Sequence, residues 1–292
     1  MLPKLQACGF SSLEEFNLYF LEQACCSDPS EMQYFAALGS GNCDLEVGLA
    51  KALRGRGVEN FVFHCLELNP AMVERGLQLA AEQQVASHVL CQVTDVESWR
   101  PDRAYAACLA VHSLHHLVDL EAVFAAVREA LGDDGVFLVN DMIGRNGHQR
   151  WPEALAPLED IWRRMPREYK FNHLLQRWED QFVNWDCSVS GNEGVRAQDI
   201  LPLLVDSFQF EVFVAFGNVI DVFVDRCFGR NFDPKHPRDL AWIDYVAEFD
   251  ERLIDAGQVK PTHLIAAARA REIANPIVYR HWSPKFCLRI PD

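Results

Sequence analysis

Three histidines stand within five residues, His112-Ser-Leu-His115-His116, directly after the apolar run Tyr105–Val111. Imidazole titrates near neutral pH, so a histidine at a strand end can take a proton from a hydroxyl or an amine. His112 is the best placed of the three, because the strand end faces the crevice of a sheet. His115 and His116 can equally cap the following helix or bond the backbone. Asn140-Asp141 ends a second apolar run, Gly135–Val139, and either touches a ligand or satisfies its turn. Glu67 ends a third run, Phe61–Glu67, where a carboxylate can accept from both hydroxyls of a ribose. Thr94-Asp95 follows a fourth, His88–Val93. Upstream, Phe35-Ala-Ala-Leu-Gly39-Ser40-Gly41-Asn42-Cys43 breaks an apolar run with two glycines one residue apart. Glycine tolerates positive φ and has no side chain to hold a ligand off. The helix opening at Asp44 would turn its free N–H groups toward whatever binds there.

These groups need elements to hold them. Helical patterns at Leu45–Leu53, Ala71–Gln83 and Leu120–Leu131 lie between the apolar runs. Strand and helix alternating at this spacing predict a parallel sheet covered on both faces, with ligands at the carboxyl ends of the strands. An amphipathic helix over about 11–27 precedes the sheet, with Ser12 and Glu15 as a capping box and Leu13, Phe16, Phe20 and Ala24 on one face. It is expected to cover the sheet rather than act as a lid. Residues 1–33 read as a helical cap and 34–143 as the core. Residues 144–205 read as a helical insertion, rich in Trp and Arg, that can roof a site. Ser190 or Asn192 can cap its last helix, and His148 and His173 offer further bases. Residues 206–270 complete the sheet through strand-like runs at Phe210–Gly217 and His263–Ala270, and 271–292 read as an irregular or extended tail.

The 292 residues are 49% hydrophobic, enough for one large α/β domain with a sizeable core. A net charge of −15 disfavours general binding to nucleic-acid phosphates or anionic membranes. No apolar stretch reaches the roughly 20 residues of a membrane span, and the first residues lack a signal-peptide core. The ten cysteines are scattered without a Cys-x-x-Cys pair, and several sit in or beside buried strands. They read as small buried hydrophobes in a reducing, cytoplasmic setting. No His/Asp/Glu cluster has metal-ligand spacing, so no metal is expected.

The order of these pieces resembles the class I S-adenosylmethionine-dependent methyltransferases across roughly residues 34–270. The family's first motif, acidic-x-Gly-x-Gly-x-Gly, stands here as Ala37-Leu38-Gly39-Ser40-Gly41-Asn42-Cys43, with Ala37 in place of the acid and Cys43 in place of the third glycine. The resemblance implies a doubly wound, seven-stranded, mostly parallel Rossmann-like sheet with a helical insertion and an N-terminal helix. It implies S-adenosylmethionine as cofactor, held by Gly39, Ser40 and Gly41, by Glu67 at the ribose with Leu68 beside the adenine, by Asp95 and Val96 at the adenine, and by His112 near the sulfonium. His112, His115 and Asp141 are the catalytic candidates for methyl transfer to an oxygen or nitrogen of a small molecule. Gly132-Asp-Asp-Gly135 matches the turn before the fifth strand, and Glu193–Leu204 a helix of some bacterial members. An Asn-Pro-Pro-Tyr motif, as in amino methylases of DNA bases, is absent. Two other readings remain open: a methyltransferase-like module that binds without turnover, and an NAD(P)-dependent oxidoreductase. Against the latter, Gly39 and Glu67 lie farther apart than the roughly 20 residues of a dinucleotide fingerprint.

Overall fold

The computed structural model describes residues 1–289, without the side chain of Ser190. Five strands build the parallel part of one sheet: β1 (Gln33–Leu38), β2 (Phe61–Glu67), β3 (Val89–Val93), β4 (Ala107–Val111) and β5 (Val136–Met142). Phe171–Asn172 (β6) and Arg177–Trp178 (β7) pair only with each other. β8 (Gln209–Phe216), β9 (His263–Arg269) and β10 (Ile277–Val278) complete the sheet, in the order β10-β8-β9-β5-β4-β1-β2-β3. β9 runs antiparallel to both β5 and β8. Chain order reverses between β1, which pairs with β2 on one side and β4 on the other. The crevice above that point is where such sheets receive ligands.

The helices are α1 (Leu2–Ala7), α2 (Leu13–Ser27), α3 (Asp44–Gly55), α4 (Pro70–Glu82), α5 (Leu120–Leu131), α6 (Pro152–Arg164), α7 (Ala197–Ser207), α8 (Asp221–Val224), α9 (Pro237–Asp255) and α10 (Pro284–Cys287). Their starts follow local chemistry. Ser12 Oγ accepts from Glu15 N–H at 3.1 Å, and Asn69 Oδ1 accepts from Ala71 N–H at 3.0 Å with Pro70 in the first turn. α1 to α4 bury Leu5, Phe16, Phe20, Val47, Leu53 and Ala80 on one face of the sheet. α5 and α7 bury Val123, Phe124, Val127, Ile200 and Leu204 on the other. A smaller third core joins α6, α8 and α9 through Leu158, Trp162, Phe223, Phe228 and Val246.

The seven expected strands form, and β10 adds a short parallel edge from within the tail. The tail is packed as well: Trp282 is fully buried, and its indole N–H donates to Asp255 at 2.6 Å. Residues 290–292 of it lie outside the described ones. The insertion is less helical than expected. α6 ends before Pro166, and 3₁₀ turns with the β6–β7 pair fill the stretch to α7. α7 starts at Ala197 rather than next to Ser190 or Asn192, because Gly194 turns the chain at φ 70° just before it.

Candidate active site

The glycine turn is anchored by backbone. Gly39 and Ser40 N–H both donate to Leu66 O, at 2.9 and 3.2 Å, which ties the end of β1 to β2. Gly39 (φ 66°) lies against β4: a Cβ built there would stand 2.8 Å from Ser113 Cβ. Gly41 (φ 57°) differs, since a Cβ there meets open space. Glu67, at the end of β2, accepts from Gly41 N–H at 2.9 Å and from Asn69 N–H at 2.8 Å. A carboxylate has about four acceptor positions, so two remain for a ligand diol. Leu68, beside it, is 66% exposed, an apolar surface at the mouth of the crevice. Asp95 caps the 3₁₀ turn Val96–Ser98, accepting from Glu97 N–H through Oδ1, with its side chain exposed and Val96 buried beneath. The hydroxyls of Thr94, after β3, and Ser113, after β4, are buried without a hydrogen-bond partner. Orphaned hydroxyls flanking an open glycine turn, with a half-used carboxylate between, fit a polar ligand with a ribose and an apolar ring system.

On the far side of the crevice, β4 and β5 present the histidines. Asp141, 0% exposed, spends its whole acceptor capacity on the protein. Oδ2 accepts from Ser113 and Leu114 N–H at 2.9 and 2.8 Å; Oδ1 accepts from Met142 N–H at 2.8 Å and from His115 Nδ1 at 2.5 Å. A carboxylate only accepts, so Nδ1 of His115 carries a proton and Nε2 points away, toward Glu193 at 3.8 Å. Asp141 thus positions the β4 turn and His115. His115 is 3% exposed. His112 is exposed, holds a left-handed backbone (φ 51°), and makes no side-chain hydrogen bond among the described residues. Its N–H donates to Asn140 O, which fixes the turn. Protein crowding around the ring, with His115 and His263 nearby, holds its pKa below the usual 6.5.

The insertion contributes groups that no single motif announced. His148 Nε2 lies 3.1 Å from Glu193 Oε1, and His116 Nδ1 lies 3.7 Å from Oε2. Burial pushes the Glu193 carboxyl up, but the three imidazoles around it outweigh this and hold it low. Asp221 sits 3.2 Å from His263 Nδ1 and 3.7 Å from Arg150. Arg150 is nearly buried, and its Nε has no hydrogen-bond partner among the described residues. His173 belongs elsewhere: its Nε2 pairs with Asn231 at 2.9 Å, within the helical region. Trp162 roofs nothing, being 1% exposed in the third core, whereas Trp178 and Trp185 are exposed.

A family model described as a methyltransferase domain matches residues 39–139, the span from the glycine turn to the end of β5. Residues 39–139 thus carry the sequence pattern of a methyltransferase domain. The chain also shares its fold with solved structures. One is a candidate sarcosine dimethylglycine methyltransferase from Galdieria sulphuraria, 15% identical, TM-score 0.52, covering 89% of this chain and 86% of that one. Another is geranyl diphosphate C-methyltransferase from Streptomyces coelicolor A3(2), crystallised with S-adenosyl-L-homocysteine, 14% identical, TM-score 0.50, covering 89% and 80%. No curated protein matches.

The chain departs from the methyltransferase glycine motif at two places, and the structure explains one. Cys43, at the third glycine position, takes the left-handed conformation itself (φ 59°) as the residue before α3. The room comes from across the turn, where a Cβ on Gly76 of α4 would meet Cys43 Sγ at 2.8 Å. The glycine has in effect moved to the facing helix. Ala37 is buried in β1.

Proposed function

We propose that this methyltransferase methylates an oxygen or nitrogen of a small molecule seated above β4 and β5, with His112 taking the acceptor's proton. S-adenosylmethionine, when bound, supplies a methyl group activated by a positive sulfur for in-line displacement. Gly39, Ser40, Gly41 and Glu67 would hold it, with Leu68, Asp95 and Val96 at the adenine. The protein then has to align the acceptor, exclude water and remove a proton. The observation that carries the reading is His112: an exposed imidazole just after β4, without a side-chain hydrogen bond among the described residues, with a lowered pKa that leaves it neutral and able to accept a proton at pH 7. His115 and Asp141 support it from behind, 6.4 Å away between the histidine rings. His148, Glu193 and Arg150 close the other side. The free Nε of Arg150 favours an acceptor that carries a carboxylate or phosphate.

The test is release of S-adenosylhomocysteine with hydroxylated and amine acceptors, each with and without an anionic group. Turnover with an anionic hydroxyl or amine acceptor, lost in His112→Ala, is expected. Cofactor binding with no turnover on any of them would sink the reading in favour of a binding module.

A further inference from the structure

We propose that Cys43, Cys65 and Cys91 bind one zinc(II) ion beside the glycine turn. The three residues come together through topology. Parallel register places Cys65 of β2 directly beside Cys91 of β3, so both side chains leave the same face of the sheet. The left-handed turn after β1 then drops Cys43 onto them. The three Sγ atoms lie within 4.8 Å of one another, and those of Cys43 and Cys91 are 3.5 Å apart. Zinc–sulfur bonds of about 2.3 Å call for sulfurs about 4 Å apart, so small side-chain rotations suffice.

A second observation points to a cation here. Glu46, three residues after Cys43 on α3, is 4% exposed, and its Oε2 has no partner. It faces Cys43, Cys65 and Cys91 electrostatically. A buried carboxylate without a partner is costly and needs either a proton or a cation. Three thiolates form a ligand set suited to zinc, and the carboxylate of Glu46, outside that set, adds negative charge beside it. Cys91 is the partly exposed member of the three, and so gives the ion a way in. The ion would pin the residue that closes the cofactor turn to β2 and β3. The inference is independent of the acceptor and of the proton-transfer scheme.

The full chain, reduced and freed of metal by a chelator, is titrated with zinc(II) against a chromophoric chelator, and with cobalt(II) under nitrogen. The expected result is one zinc per chain, a thiolate-to-cobalt charge-transfer band, and protection of Cys43, Cys65 and Cys91 from alkylation. Cys91→Ser should weaken zinc binding by about tenfold or more. Should that variant fold poorly, Glu46→Gln gives the second reading, with weaker binding and the thiolate band retained. His115, His148 and Glu193 also lie within ligand distance of one another. Zinc bound there would survive Cys91→Ser and give no thiolate band, which would overturn the proposal. So would a reduced protein that takes up no zinc, its three thiols packed as small apolar side chains.

Discussion

Gly39 and Ser113 are pressed together where β1 meets β4: a Cβ on residue 39 would lie 2.8 Å from the Ser113 Cβ. The contact sets the depth of the crevice floor, and it separates the two glycines of the turn. Both have positive φ, but only Gly39 is also crowded. Gly39→Ala should therefore cost about 1–3 kcal/mol of stability, and Gly41→Ala about 1 kcal/mol or less. Urea denaturation of the two variants measures this. Equal losses would mean that backbone strain alone matters and the β1–β4 contact does not.

His112 predicts a pH profile. Its pKa lies below 6.5, so activity should rise through that lower pH and be flat above it. His112→Gln should lower kcat by about 100-fold or more and remove the acid limb. An acid limb kept unchanged in this variant would move the proton transfer to another group.

Asp141 predicts a structural effect. It accepts four hydrogen bonds while fully buried. Asp141→Asn turns one acceptor oxygen into a donor group and should cost about 1–3 kcal/mol. Activity should fall together with order in the 112–116 turn, read by amide exchange. A variant of wild-type stability with normal exchange would contradict the positioning role.

Asp250 predicts how stability depends on pH. Burial, with Asp221 nearby, raises its carboxyl from 3.8 to about 7, while Oδ1 accepts from Val219 N–H. The unfolded chain loses this proton near 3.8 and the folded protein near 7, so folding keeps an extra proton in between. Stability contributed by this group is present at low pH and declines as pH rises across that window. Asp250→Asn keeps the acceptor for Val219 and should flatten that decline. Unfolding free energies at intervals from pH 4 to about 7.5 check it; parallel curves for the two proteins would contradict it.

The sequence carried the sheet well, because each parallel strand is an apolar run closed by a polar residue. Glu67 and Asp141 were visible for that reason alone. What Asp141 does was not visible, since its four donors come from the β4 turn and its own neighbour. Glu193 and His148 were invisible as a pair because 45 residues of insertion separate them and only the folded loop joins them. The cysteine trio left one faint signal. Cys65 stands two residues before the last of β2, and Cys91 two before the last of β3, so equal depth in parallel strands predicts contact. Cys43 escaped because its turn is left-handed at a residue other than glycine. α1 was missed as too short for periodicity. It is held by Lys4, nearly buried, which pairs with Glu251 and sits over Tyr279 and Trp282.

The central claim is that an adenosyl cofactor is gripped at the ends of β1 and β2 by the glycine turn and Glu67. Calorimetric titration of S-adenosylhomocysteine into the wild type and Glu67→Ala tests it most directly. One site per chain is expected in the wild type, with binding weaker by about 10- to 100-fold in the variant, the cost of losing charge-assisted hydrogen bonds. No binding to the wild type, or the same affinity in both proteins, would contradict it.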